Sequence, residues 1–88
     1  GLYRAMSRQI RHILSLTEAF TAHEAISHWA LSKRLMGKGD FIDRLLKGGD
    51  IRTQTAEAFI EKLSRAWPAD LEWPRDIPRP STKQEDAA

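Results

Sequence analysis

Residues 20–39 read FTAHEAISHWALSKRLMGKG, and this stretch decides the fold. The pattern predicts a helix that ends near Ala22, a short break, and a second helix that begins after Ser27 and ends at Gly37. Serine is a preferred N-cap residue, and glycine readily adopts the left-handed conformation that ends many helices. The stretch therefore predicts two consecutive helices joined by a tight turn.

Apolar residues before this stretch recur with the 3.6-residue period of an amphipathic helix. They predict one helix from Leu2 to Phe20, which continues into the first helix of the quoted stretch. Its apolar face consists of Leu2, Met6, Ile10, Ile13, Leu14, Thr17 and Phe20. The arginines of this segment lie off that face and are expected to be solvated.

Two further helices are predicted after the quoted stretch. Asp40 is expected to cap a short helix over residues 41–46, which a glycine pair ends. The last helix begins at Thr53 or Thr55, and Pro68 ends it because proline cannot continue a helix. No segment alternates polar and apolar residues for long enough to predict a strand. The predicted fold is all-α, a compact bundle of four or five helices.

The helical domain is predicted to span residues 1–67, and the chain changes character after it. All four prolines of the sequence lie in residues 68–80, where they exclude a regular helix. This extended tail also contains Leu71, Trp73 and Ile77, which are too apolar for a free linker. The tail is therefore expected to pack on the helices. Residues 81–88 have no apolar side chain except two alanines, and they are expected to be disordered.

Charge is unevenly distributed along the 88 residues. Residues 1–66 carry a formal charge of +4 and residues 67–88 carry −2, within a net charge of +2. A basic body weakly indicates a polyanionic partner. The sequence has no cysteine, no apolar run as long as a membrane span, and no signal-peptide pattern at its start. These features predict a cytoplasmic protein that is not bound to a membrane.

The second helix of the quoted stretch has the features of a DNA-reading helix. In a helix-turn-helix unit, the N-terminal turns of the second helix enter the major groove, and its opposite face is apolar. The residues expected to point at DNA are His28, Trp29, Ser32 and Lys33. Arg34 and Lys38 are expected to reach phosphates, and Ser27 begins a helix whose free N–H groups suit a phosphate.

Residues 26–39 resemble the recognition segment of small bacterial helix-turn-helix proteins related to phage repressors. That family typically has a glycine, a hydrophobic residue and a serine at the turn, then Ser, Arg and two glycines at the spacing found here. Residues 45–53 and the Trp-Pro tail are also similar, so the resemblance covers about residues 10–80. It implies a DNA-binding regulator of transcription. This chain departs from the family at Ala25, where glycine is usual, and at His28 and Trp29, where small polar or basic residues are usual.

One domain of this size covers only one half-site, so tight specific binding is expected to need a homodimer or a partner. Trp29 also leaves a second function open, because an exposed tryptophan is typical of protein-binding surfaces. The alternative is a non-enzymatic interaction module, an adaptor or antiactivator, that binds a protein through Trp29 or the Trp73 tail. A buried Trp29 beside a basic face favours DNA, whereas an exposed apolar patch favours a protein.

Residue patterns for catalysis or metal binding are not found in the sequence. The spacings of His12, His23 and His28 do not place two imidazoles on one helical face. The acidic pairs have helical surface spacing and no adjacent nucleophile. The sequence therefore predicts a protein that is not an enzyme and that uses no metal, cofactor or small-molecule substrate.

Overall fold

The computed structural model describes residues 7–80, and every structural statement here concerns those residues. They form four helices and no strand: α1 (Arg8–Glu24), α2 (His28–Met36), α3 (Phe41–Leu46) and α4 (Thr53–Ala66). The all-α fold predicted from apolar periodicity is confirmed. None of these helices is both long and apolar enough to cross a bilayer. The expected disorder of residues 81–88 lies outside the described residues.

Helix α1 begins later than the sequence predicted. Ser7 has an extended backbone (φ −66°, ψ 159°), and its Oγ accepts a hydrogen bond from the backbone N–H of Ile10 at 3.1 Å. The prediction of one unbroken helix from Leu2 to Phe20 is therefore wrong at Ser7, where a serine cap begins the helix. Leu2 and Met6 of the predicted apolar face lie outside the described residues. The buried face of α1 is also wider than predicted, since Leu16 is fully buried although it lies outside the predicted apolar face.

The core lies where all four helices meet. Helix α1 packs on α4, and α2 packs on both α3 and α4. Phe41 of α3 stacks on Phe59 of α4, with ring centroids 5.1 Å apart. Each large apolar side chain in such a core stabilises the fold by about 1.5–3 kcal/mol. The buried apolar residues are Ile10, Ile13, Leu14, Leu16, Phe20, Leu31, Ile42, Leu45, Ala56, Phe59, Ile60, Leu63, Trp67 and Ile77.

Helix α3 is capped by a residue from another helix. Asp40 occupies the predicted N-cap position, but its side chain makes no capping hydrogen bond. The backbone N–H of Ile42 instead donates to Oγ of Ser32 in α2, at 3.2 Å. The cap therefore joins α2 to α3 and fixes the angle between them. Helix α4 begins at Thr53, one of its two predicted starts.

The proline-rich tail, residues 68–80, folds back onto α1 and α4. Trp67 has an extended backbone before Pro68, and its ring lies 5.8 Å from that of Phe20 and 4.8 Å from that of Trp73. Ile77 is buried in the core. The tail thus completes a core that four short helices alone would leave open.

Hydrogen bonds hold the tail in this conformation. The indole N–H of Trp67 donates to the carbonyl of Leu71 at 2.7 Å, and that of Trp73 donates to Ile77 at 2.8 Å. The Arg79 guanidinium lies 4.9 Å from the Trp73 ring centroid and donates to both Oγ and the carbonyl oxygen of Ser64. The indole N–H groups of Trp67 and Trp73 are therefore both satisfied within the domain.

Candidate nucleic-acid interface

The turn between α1 and α2 is short and internally bonded. Ala25 has a left-handed backbone (φ 57°, ψ 44°), and the next N–H, that of Ile26, donates to the carbonyl of Thr21 at 3.1 Å. This five-residue closure is typical of a Schellman helix end. The side chain of Ile26 packs against the core. The chain therefore enters α2 in a fixed direction, although Ala25 replaces the glycine expected there.

Helix α2 has well-formed ends. Oγ of Ser27 accepts a hydrogen bond from the N–H of Ala30 at 3.0 Å, so Ser27 is the predicted N-cap. At the other end Gly37 is left-handed (φ 77°), and its N–H donates to the carbonyl of Lys33. Lys62 of α4 donates from Nζ to the carbonyl of Leu35 at 3.0 Å. That contact is favourable because a cation at a helix C-terminus complements the helix dipole.

Three cations on or just after α2 are exposed and have no ion-pair partner in the described part of the chain. Lys33, Arg34 and Lys38 are exposed, and no carboxylate in residues 7–80 forms an ion pair with any of them. By contrast, Arg65 and Arg75 each pair with a neighbouring glutamate. Unpaired cations keep their full charge available to an anionic partner. The outward side of α2 is therefore a basic surface.

Trp29 lies on the same helix and is 58 % exposed. It is the second residue of α2, so it lies in the N-terminal turn. Leu46, at 38 %, is the other large apolar side chain that the described part of the chain exposes. Trp29 is therefore an exposed ring on a helix that also carries exposed cations, which matches neither of the two sequence alternatives completely.

The structure corrects the predicted orientation of Ser32. That side chain is fully buried, with a relative exposure of 0 %, because its hydroxyl caps α3. A buried Ser32 cannot touch DNA without unfolding the contact between α2 and α3.

His28 is also turned away from the outward side. Its Nε2 lies 3.1 Å from Oε2 of Glu18, so the ring faces α1. The outward side of α2 is thus narrower than predicted and consists of Trp29, Lys33 and Arg34, with Lys38 just beyond the helix and Ser27 exposed at its start.

Sequence reasoning missed Gly39, whose role is to make room for Trp29. A Cβ atom placed on Gly39 would lie 2.2–2.4 Å from Cε2, Cδ2 and Cζ2 of the Trp29 ring. These distances are far shorter than van der Waals contact, so any side chain at this position displaces the ring. The available signal is the second glycine of residues 37–39, since Gly37 alone is enough to end the helix.

A cluster of charged groups joins the end of α1 to the tail. Nδ1 of His23 lies 2.8 Å from Oε2 of Glu24, and Nε2 lies 3.2 Å from Oδ2 of Asp70. The hydrogen bond with Glu24, and then that with Asp70, raise the pKa of His23 above its ordinary value of 6.5. Both carboxylates favour the imidazolium because it donates from both nitrogens.

A groove of about 1270 Å³ lies between α1, α4 and the tail, and no residue of α2 lines it. Its lining carries both signs of charge, since it includes Arg8 and Arg79 as well as Glu57 and Asp76. Because the two signs are mixed, the groove does not favour one class of ligand. No group of three or more potential metal ligands occurs among residues 7–80.

No protein-family model, curated protein or solved structure matches this chain. The resemblance of residues 26–39 to phage-repressor relatives therefore stays a prediction from sequence.

Proposed function

We propose that this chain is a non-enzymatic, sequence-selective double-stranded DNA-binding protein that regulates transcription. The observation that carries the proposal is a set of exposed cations on the outward side of α2 that form no ion pair within residues 7–80: Lys33, Arg34 and the adjoining Lys38. Helix α2 follows α1 after the three residues 25–27, which is the connection length of a helix-turn-helix unit. Phosphate contacts from these cations would supply most of the affinity.

The same proposal includes the setting in which the protein acts. We propose that it works in the cytoplasm of a bacterium and without a cofactor, and that one domain reads one half-site. A homodimer or a partner protein would supply the second half-site. Trp67 is buried and cannot form that interface, whereas the half-buried ring of Trp73 in the tail stays a candidate although its indole N–H is bonded within the domain.

The test is a fluorescence-anisotropy titration with a random-sequence duplex at several salt concentrations. Lys33→Ala and Arg34→Ala are expected to weaken binding to all sequences. Each should also reduce the slope of log K against log salt by about 0.9, because one phosphate contact is lost. Arg75→Ala is the matched control, since it removes one exposed cation from the tail and should leave the slope unchanged. Equal slopes for all four proteins would contradict the proposal.

The exposure of Trp29 favours one second candidate, a module that binds a protein through the same side of α2. The partner surface would be acidic and would bury the indole ring. A wild-type protein that binds no duplex even at low salt would favour this candidate over DNA.

A further inference from the structure

The three tryptophans of the chain are held in different ways. Trp67 and Trp73 pack against the core, and each donates its indole N–H to a backbone carbonyl. Trp29 is 58 % exposed, and its N–H has no hydrogen-bond partner within residues 7–80. Tryptophan is the largest apolar side chain, so leaving it in water forgoes stabilisation that burial would bring. An exposed tryptophan with a free donor is suited to contact with another molecule.

The Trp29 ring packs against the backbone of Gly39. Three ring atoms lie at nearly equal distances, 2.2–2.4 Å, from the position that a Gly39 Cβ would occupy. The ring therefore covers Gly39 with one face, and Gly39 is itself buried as a result. The side chain is nevertheless 58 % exposed, so the opposite face is the one available for contact, and the N–H has no hydrogen-bond partner within residues 7–80. A ring supported in this way loses little conformational freedom when it binds.

The position of Trp29 relative to the cations indicates which part of DNA it would meet. Lys33 follows Trp29 by four residues, so the two side chains lie one above the other on the same side of α2. The cations follow the ring toward the C-terminal end of the helix. In helix-turn-helix proteins the N-terminal turns approach the base edges. Phosphate contacts by the cations would then place the ring in the major groove.

Base edges in the major groove offer one apolar group, the 5-methyl of thymine, together with acceptors such as N7 and O4. The exposed face of Trp29 matches the methyl group, and its free N–H matches an acceptor. We propose that Trp29, supported by Gly39, determines sequence selectivity by apolar contact with thymine methyl groups. This inference rests on the proposed DNA-binding function and assigns the selectivity of the same surface.

The test uses duplexes that the wild-type protein selects from a random-sequence pool, each synthesised once with thymine and once with uracil. Uracil removes only the 5-methyl group. For each methyl that Trp29 contacts, the wild-type protein should bind the thymine duplex about fourfold more tightly, as expected for one buried methyl. Equal affinity for the two duplexes, or failure to select any sequence, would overturn the inference. Failure to bind duplex at all would overturn the proposed function itself.

Three variants separate this role from phosphate binding. Trp29→Ala removes the ring, and Gly39→Ala keeps it but displaces it; both should lower the thymine-to-uracil ratio to about one. Lys33→Ala should weaken binding to both duplexes and leave that ratio unchanged. Circular dichroism establishes that each variant is folded. An unchanged ratio in folded Trp29→Ala would contradict the assignment to this residue.

Discussion

At the scale of single residues, Ala25 is in a conformation that alanine disfavours. Its φ of 57° lies in the left-handed region, where an L residue is destabilised by roughly 1–2 kcal/mol. Glycine adopts this region without that penalty, and the Ala25 side chain is exposed, so its loss removes no packing.

Ala25→Gly should therefore stabilise the protein. The relief of strain exceeds the added entropy of the unfolded chain, and the expected gain is about 0.5–1 kcal/mol. Chemical denaturation measures it. Ala22→Gly is the matched control, because Ala22 is exposed but lies inside α1, where glycine should destabilise by about 0.5–1 kcal/mol. A loss of stability in both variants would show that the turn does not hold Ala25 under strain.

Ser32 has a structural role instead of the predicted base contact. Ser32→Ala removes the acceptor of the Ile42 N–H, which is buried, and should destabilise the protein by about 1–3 kcal/mol. Ser15→Ala, at an exposed position of α1, should change stability by less than about 0.5 kcal/mol. Urea denaturation compares the two variants. Equal stabilities would mean that solvent replaces the hydroxyl as acceptor.

The error at Ser32 has a physical cause. A serine between Leu31 and Lys33 is compatible with either side of a short helix, because neighbouring positions differ by only about 100° around the axis. Its partner Ile42 lies ten residues away and belongs to another helix. Only tertiary structure brings the two together, so composition and periodicity could not identify the contact.

At the scale of secondary structure elements, the helices were predictable because each buries one apolar face. Helix α4 is the clearest case, since Ala56, Phe59, Ile60 and Leu63 are all buried as their spacing predicts. The side chains that point outward from α2 were predictable only in part. Lys33 and Arg34 are exposed as expected, but the orientations of His28 and Ser32 depend on contacts with α1 and α3. Which side chains point outward from a short helix therefore depends on its contacts with neighbouring helices, whereas the buried apolar face follows from the sequence spacing.

Alanine substitutions of Trp73 and Trp29 should affect different properties of the protein, stability in the first case and sequence selectivity in the second. Trp73→Ala removes the ring that packs on Trp67 and under Arg79, so stability should fall by about 2–3 kcal/mol while duplex affinity of the folded protein stays unchanged. Trp29→Ala should change stability by less than about 1 kcal/mol, because that ring is mostly exposed, but it should reduce selectivity. Thermal unfolding measures the stability of each variant, and anisotropy titration measures its duplex affinity and selectivity. Loss of duplex binding in folded Trp73→Ala would place the tail in the interface.

The His23 cluster predicts that the attachment of the tail to α1 depends on pH. Glu24 and then Asp70 raise the pKa of His23 in the folded state, so protonation stabilises the folded protein. The stabilisation is complete below the ordinary value of 6.5 and is lost as pH rises through the higher folded pKa. The melting temperature of the wild type should exceed that of His23→Gln most at acidic pH, and the difference should shrink toward alkaline pH.

Asp70→Asn gives the control for this prediction. It removes one of the two carboxylates near His23 but keeps a hydrogen-bonding side chain, so the pH dependence should be weaker than in the wild type but still present. A difference between wild type and His23→Gln that does not vary with pH would contradict a role for the imidazolium.

At the scale of the whole molecule, the basic surface is small. Helix α2 has nine residues and is therefore about 13.5 Å long, enough to follow only about four base pairs. Three cations on or beside it would neutralise about three phosphates, which predicts a salt slope near −2.7. Contacts of this extent support weak binding by one copy, and selectivity within a genome needs a second reading helix.

Two copies of the domain should therefore bind DNA together only when their half-sites lie on the same side of the duplex. Inverted copies of a selected half-site with centres about 10 base pairs apart should bind more tightly than either half-site alone, since 10–10.5 base pairs make one turn. Centres about 15 base pairs apart should lose this gain, because the second copy then lies on the opposite side. Anisotropy titration of the two duplexes measures the ratio of their affinities. Equal affinities would mean that the chain binds as independent single domains and that another protein supplies the second reading helix.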